Sequence, residues 1–135
     1  MINARNLQTQ TDAVIYFIQR LDIEMVAEIL DNDLTYQDMP KPIFIRKLGN
    51  ALNEFRESGD ELLKYYKGCC TAESCNYNKQ GFSFVGKRSG KYMDLIIEAK
   101  DGKVLDIYEC HCFKIFDLPF KKGQQVLIDK KLFEE

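Results

Sequence analysis

Residues 81–113 hold three strand-like segments joined by breaks too short to contain a helix. Residues 81–86, 91–99 and 104–113 are rich in Val, Ile, Phe and Tyr, and the breaks at 87–90 and 100–102 carry Gly, Ser and Asp. Parallel neighbours need a long crossover, so consecutive segments joined this closely read as an antiparallel meander. The Lys100-Asp101-Gly102 break admits two hairpins. A two-residue Asp-Gly loop pairs Ile97 with Asp106 and Leu95 with Tyr108. A three-residue loop, with Gly102 left-handed, pairs Ile97 with Leu105 and Leu95 with Ile107. The second keeps one face apolar, and register follows the face that is buried. The expected inner face is Met93, Leu95, Ile97, Leu105, Ile107 and Phe113, shared by Glu109 and His111.

Upstream, Thr9 or Thr11 can cap a helix over residues 12–30, whose Val14, Phe17, Ile18, Leu21, Met25, Ile29 and Leu30 form one apolar stripe. Residues 34–37 predict a brief strand, the prolines of 39–42 a turn, and residues 42–58 a second helix that buries Phe44, Leu48, Ala51, Leu52 and Phe55. Residues 61–70 predict another strand before a polar loop at 71–80, and residues 124–128 a final strand or helical turn. Helices followed by a run of strands define a single α+β domain over residues 1–135, with the helices packed on one face of a strongly curved antiparallel sheet.

Composition narrows the function classes. A net charge of -2 with mixed signs argues against non-specific nucleic-acid binding, which needs a basic face. The apolar runs are far too short to span a bilayer. The first residues lack the apolar core of an export signal. Five cysteines, an odd number, then predict reduced thiols and a cytoplasmic setting. The alternative is a secreted chain with two disulfides and a spare thiol.

Two groups of residues carry possible chemistry. A carboxylate on an apolar inner face is costly without a partner, and its pKa tends upward. Glu109 beside His111, the only histidine, would then suit proton transfer. The structural alternative is that both sit at a strand end and bond to neighbours there. Cys110 and Cys112 share the outer face of their strand, about 6.5–7 Å apart along the backbone, which disfavours a disulfide between them. With Cys70 and Cys75 they could supply four thiolates for a structural zinc, Cys69 facing inward, and such a closed shell leaves no position for substrate. Inert, buried or disulfide-linked cysteines are the alternative, and no other cofactor is expected. Tyr65, Tyr66, Tyr77, Tyr92 and Tyr108 with Phe82 and Phe84 lack the basic surround of a base-stacking platform and read as sheet packing. Gly86-Lys87-Arg88-Ser89-Gly90 lacks phosphate-loop spacing and a following helix, so it reads as a hairpin turn.

The element order resembles the nuclear transport factor 2-like superfamily, which includes SnoaL-like polyketide cyclases and ketosteroid isomerases. The likeness rests on the amphipathic helix at 12–30, the short strand within Asp31-Asn32-Asp33-Leu34-Thr35-Tyr36-Gln37-Asp38, the helix at 42–55 and the long strands within 61–113. It implies a cone-like fold with a pocket between helices and sheet, and a homodimer through the outer sheet face. It also implies acidic or histidine residues on inward positions. Glu109 and His111 fit that placement on the last long strand, and Asp38 is a further pocket acid. Asp38, Tyr65, Met93, Glu109 and His111 are the expected contacts of a small-molecule ligand, with Glu109 and His111 the catalytic pair if the chain is an isomerase- or cyclase-like enzyme.

Overall fold

A computed structural model describes residues 9–70, 80–109, 113–114 and 124–129. Among them the fold is α+β, with three helices ahead of an antiparallel sheet. The opening apolar stripe folds into two helices rather than one, α1 (Gln10–Gln19) and α2 (Ile23–Ile29). Thr9 caps the first, accepting from the Asp12 amide at 3.0 Å. Asp22 caps the second, accepting from Met25 at 3.1 Å, and so starts a new helix where the periodicity alone would continue the old one. Between them Leu21 sits at φ 60 with its side chain 2% exposed. A left-handed leucine is strained by roughly 1–3 kcal/mol, and it holds because the side chain is buried and Arg56 Nη2 donates to its carbonyl at 2.9 Å.

The expected prolyl turn at 39–42 is instead the second arm of a small hairpin, β1 (Thr35–Tyr36) with β2 (Met39–Pro40). The turn is Gln37-Asp38, both left-handed at φ 52 and 59, the geometry of a two-residue hairpin loop. Pro40 is tolerated because this ladder is only two residues long. Tyr36 anchors the hairpin, fully buried against Phe44 with ring centroids 5.4 Å apart. Helix α3 (Lys41–Glu57) follows, and Phe44, Leu48, Ala51, Leu52 and Phe55 are its buried face, as their spacing predicts.

The sheet is built from β3 (Leu63–Cys70), β4 (Gln80–Gly86), β5 (Tyr92–Lys100) and β6 (Lys103–Glu109), each antiparallel to the next. A short β7 (Phe113–Lys114), beyond residues outside those described, pairs with the far edge of β3. That pairing demands curvature. Glu109 and Phe113 are four residues apart, a reach of at most about 14 Å. Four strand spacings in a flat sheet would be roughly 19 Å. The sheet therefore curls, bringing its two edges toward each other. One face carries Leu63, Phe82, Phe84, Met93, Leu95, Ile97, Val104 and Ile107 into a single core with the helices. The other face buries Ser83, Val85, Asp94 and Ile96 apart from that core.

The β5–β6 register differs from both hairpins considered above. The loop is the two-residue one, with Asp101 at φ 54 and Gly102 at φ 81, and Lys100 pairs with Lys103. Past Ala99–Val104 the register shifts by one, so that Glu98 meets Asp106 and Ile97 meets Ile107. Leu105 is the extra residue of this bulge. It is 43% exposed rather than on the inner face, and its place there is taken by Val104. Beyond the bulge the expected parity returns, with Ile107 and Glu109 inward opposite Ile97 and Leu95. Residues 124–129 form neither strand nor helical turn. They make one parallel bridge, Tyr92 with Gln125, and bury Val126 and Ile128 in the core.

Candidate functional site

Two carboxylates organise the chemistry of the described surface. The first is Asp60, 2% exposed just after α3. Its Oδ1 accepts from the backbone N–H of Arg88 at 2.7 Å and of Ser89 at 2.9 Å, and its Oδ2 accepts from Ser89 Oγ at 2.5 Å. The consecutive amides of the β4–β5 turn thus form an anion nest filled from within. Gly86 is required beside it, since a Cβ there would collide with the Asp60 carboxylate. The same turn borders a cavity of about 560 Å³ lined by Lys64, Tyr66, Val85, Lys87, Arg88 and Ser89. Lys64 and Val85 are cross-strand partners on the face away from the helices, and the two cations of the turn stand at its end. Three positive side chains therefore line one concavity, while the Asp60 carboxylate beside the turn is committed to backbone amides.

The second carboxylate is Glu109, half-buried at the end of β6. Gln37 clasps it from the β1–β2 turn. Gln37 Nε2 donates to Glu109 Oε2 at 3.0 Å, and the Glu109 N–H donates to Gln37 Oε1 at 2.9 Å. The Gln37 N–H also donates to Asp106 Oδ1 at 3.0 Å. On its other side Glu109 accepts from the backbone N–H of Ile128, and from that of Asp129 at 3.2 Å. Burial pushes the Glu109 carboxyl above its ordinary value, and the nearby Asp129 charge adds to this. The Ile128, Gln37 and Asp129 hydrogen bonds pull it back only in part. Burial likewise raises Asp106, against the amides of Gln37 and Ile107 and with the charges of Glu98 and Asp38. A carboxylate has about four acceptor positions, so Glu109 has about one left for a substrate.

Residues 124–129, held by Glu109, lie along α3. Lys47 Nζ pairs with Asp129 at 3.2 Å, and a cavity of about 280 Å³ remains between Lys47, Asn50, Ala51 and Glu54 of α3 and Leu127, Ile128 and Asp129. Tyr92 donates to the Gln124 carbonyl at 3.2 Å and accepts from the Val126 N–H at 2.6 Å. Burial of Val126 and Ile128 contributes about 2 kcal/mol each, whereas ordering each backbone residue costs about 1 kcal/mol or more. The two sums are of similar size, so this segment is weakly held compared with the sheet beneath it.

Of the expected ligand contacts, Asp38, Tyr65, Met93 and Glu109 fall among the described residues. Met93 is fully buried and Tyr65 packs on Phe82 and Phe84, with ring centroids 6.1 and 6.4 Å away. Asp38 is exposed in its turn, and its neighbour Gln37 is the residue that reaches Glu109. His111, Cys75, Cys110 and Cys112 lie outside the described residues. Cys70 ends β3, where its backbone pairs with Phe113. No group of metal-ligating side chains is found among the described residues. Lys64 and Gln37 carry no local signal that marks them in sequence; Lys87 and Arg88 stand in the stretch 86–90, which reads from sequence as a hairpin turn. No family model matches the chain, and no curated protein or solved structure shows significant similarity to it. No helix among the described residues is long and apolar enough to cross a membrane.

Proposed function

We propose that this chain is a binding domain whose site is the basic cavity at the β4–β5 turn and whose ligand is a small anion. The observation that carries this reading is the convergence of Lys64, Lys87 and Arg88 on a cavity of about 560 Å³ beside Tyr66 and Val85. The Asp60 carboxylate beside the turn is engaged by the amides of Arg88 and Ser89 and by Ser89 Oγ. Val85 and Tyr66 add an apolar and aromatic floor, which suits a ligand with an anionic group on a small organic body. The helix, helix, hairpin, helix and meander order supports a nuclear transport factor 2-like kinship. Three of the roughly four acceptor positions of Glu109 are taken by Gln37, Ile128 and Asp129, which supports a structural role for it over proton transfer. Titration of the isotope-labelled protein with phenyl phosphate, against sodium chloride of equal ionic strength, tests the site. Saturating amide shifts confined to residues 64–66 and 85–90, lost in Lys64→Glu/Arg88→Glu, are expected. Shifts no different from those in sodium chloride would sink the proposal.

A structural zinc is the second reading, favoured by one backbone feature. Cys70 pairs with Phe113, so Cys112 adjoins the cross-strand partner of Cys70 in sequence. Stoichiometric zinc in protein purified without chelator, lost in Cys70→Ser and Cys112→Ser, is the expected result; metal-free protein of unchanged stability would defeat it.

A further inference from the structure

We propose that the trough between α3 and the start of β5 is a peptide-binding groove. Its ligand is an extended partner segment of the pattern apolar, any residue, apolar, acidic, and the chain's own residues 124–129 fill it in cis. The groove is independent of the basic cavity and has its own recognition features. Among the described residues β6 pairs with β5 as far as Leu95, and past that point the main chain of Tyr92 both donates to and accepts from the occupying segment. This is strand addition with a single parallel bridge. Val126 and Ile128, two residues apart, enter the core from one side of the segment, fixing the apolar positions. Glu109 accepts from two consecutive amides, of Ile128 and Asp129, which any extended peptide can offer. Lys47 on α3 meets the Asp129 carboxylate at 3.2 Å, so the position after the second apolar residue is acidic.

Two further observations make the occupant replaceable. The cis segment leaves about 280 Å³ unfilled along α3, so a partner with larger side chains would fill the groove better. Among the described residues, the segment's backbone bonds run to Tyr92 and to the Glu109 carboxylate and not along a ladder like those of the sheet. A cis occupant lowers apparent affinity for a partner by the fraction of time the groove stands open, and loosening it removes that penalty.

The test uses the full chain and a fluorescent peptide, Lys-Gly-Gln-Gln-Val-Leu-Ile-Asp-Lys-Lys, copied from residues 122–131. Val126→Ser/Ile128→Ser in the full chain should bind it at least about tenfold tighter than the parent chain does. Adding Lys47→Glu should weaken that binding by about fivefold, and a peptide with Lys in place of its Asp should restore it. If the double variant is unfolded alone, the peptide should refold it. A folded double variant that ignores the peptide, an unfolded one that the peptide does not rescue, or binding indifferent to the charge exchange would overturn the proposal.

Discussion

Asp60 and Glu109 do the same thing in two places: each is a buried or half-buried carboxylate that accepts from two consecutive backbone amides. They differ in what those amides belong to. Asp60 binds a turn already closed by the β4–β5 ladder, where Gly90 donates to the Gly86 carbonyl at 3.0 Å. Glu109 binds a segment 19 residues further along the chain, whose contacts among the described residues include one bridge, the Lys47–Asp129 ion pair and the buried Val126 and Ile128 side chains. The first carboxylate completes a rigid element; the second fastens a loose one. Loss of the first should cost global stability, and loss of the second should cost mainly local order.

The largest effect is expected at Asp60. Asp60→Ala strands two amides and a hydroxyl under the turn, a loss of about 3 kcal/mol or more at roughly 1–3 kcal/mol per unmade bond. Gly86→Ala should cost about 2 kcal/mol or more, because the new methyl collides with the Asp60 carboxylate. The two substitutions should not add. Once the carboxylate is gone the methyl still meets Ser89 Oγ at 2.7 Å, but that hydroxyl has lost its bond to Asp60 and can turn away, so the double variant should be close to Asp60→Ala alone in a denaturant-unfolding cycle. Additive losses would show that the carboxylate and the glycine do not share that space.

Glu109→Ala should be milder globally, about 1–2 kcal/mol, since the freed amides of Ile128 and Asp129 can turn to water when the segment lifts. Its signature is local. Amide exchange at residues 126–129 should accelerate by at least about tenfold while the β4–β5 amides stay protected. Equal acceleration in both regions would erase the contrast between rigid and fastened elements.

The pH dependence separates the regions further. Burial raises the folded-state pKa of Glu109 and Asp106, so the folded protein holds those protons more tightly than the unfolded chain does. Their contribution to stability therefore falls as pH rises through the raised values and is recovered on acidification toward the ordinary carboxylate range. The stability difference between the parent chain and Glu109→Gln should shift in the parent's favour as pH is lowered through that window. A difference independent of pH would remove burial as the dominant influence on Glu109.

How much of this the sequence shows depends on range. Helix caps, the buried face of α3 and the meander are local, so the positions of Thr9, Phe44 to Phe55 and the strand alternation are readable from neighbours a few residues away. The break at Leu21 was hidden because Asp22 restarts a helix without interrupting the apolar stripe. The inward setting of Glu109 was legible from parity, and its use was not. Its partners are Gln37, 72 residues earlier, and Ile128, 19 later, and no spacing announces them. In the basic cavity Lys87 and Arg88 are neighbours in sequence, but Lys64 is brought to them only by the β3–β4 pairing.

The smallest effect tests the most specific structural claim. Turn chemistry and face burial favour different registers in the β5–β6 hairpin, and the chain satisfies both. Asp101-Gly102 makes the two-residue loop, and a single bulge then restores Ile97 opposite Ile107. Leu105 is the residue spent on the shift, 43% exposed between two buried positions of its own strand. Leu105→Ser should therefore change stability by about 0.5 kcal/mol or less, while Ile107→Ala should cost about 2–4 kcal/mol. In a hairpin with the three-residue loop both side chains would be buried and both substitutions would be costly. A large loss at Leu105, measured by denaturant unfolding, would remove the bulge and with it the alignment that sets Glu109 beside Gln37.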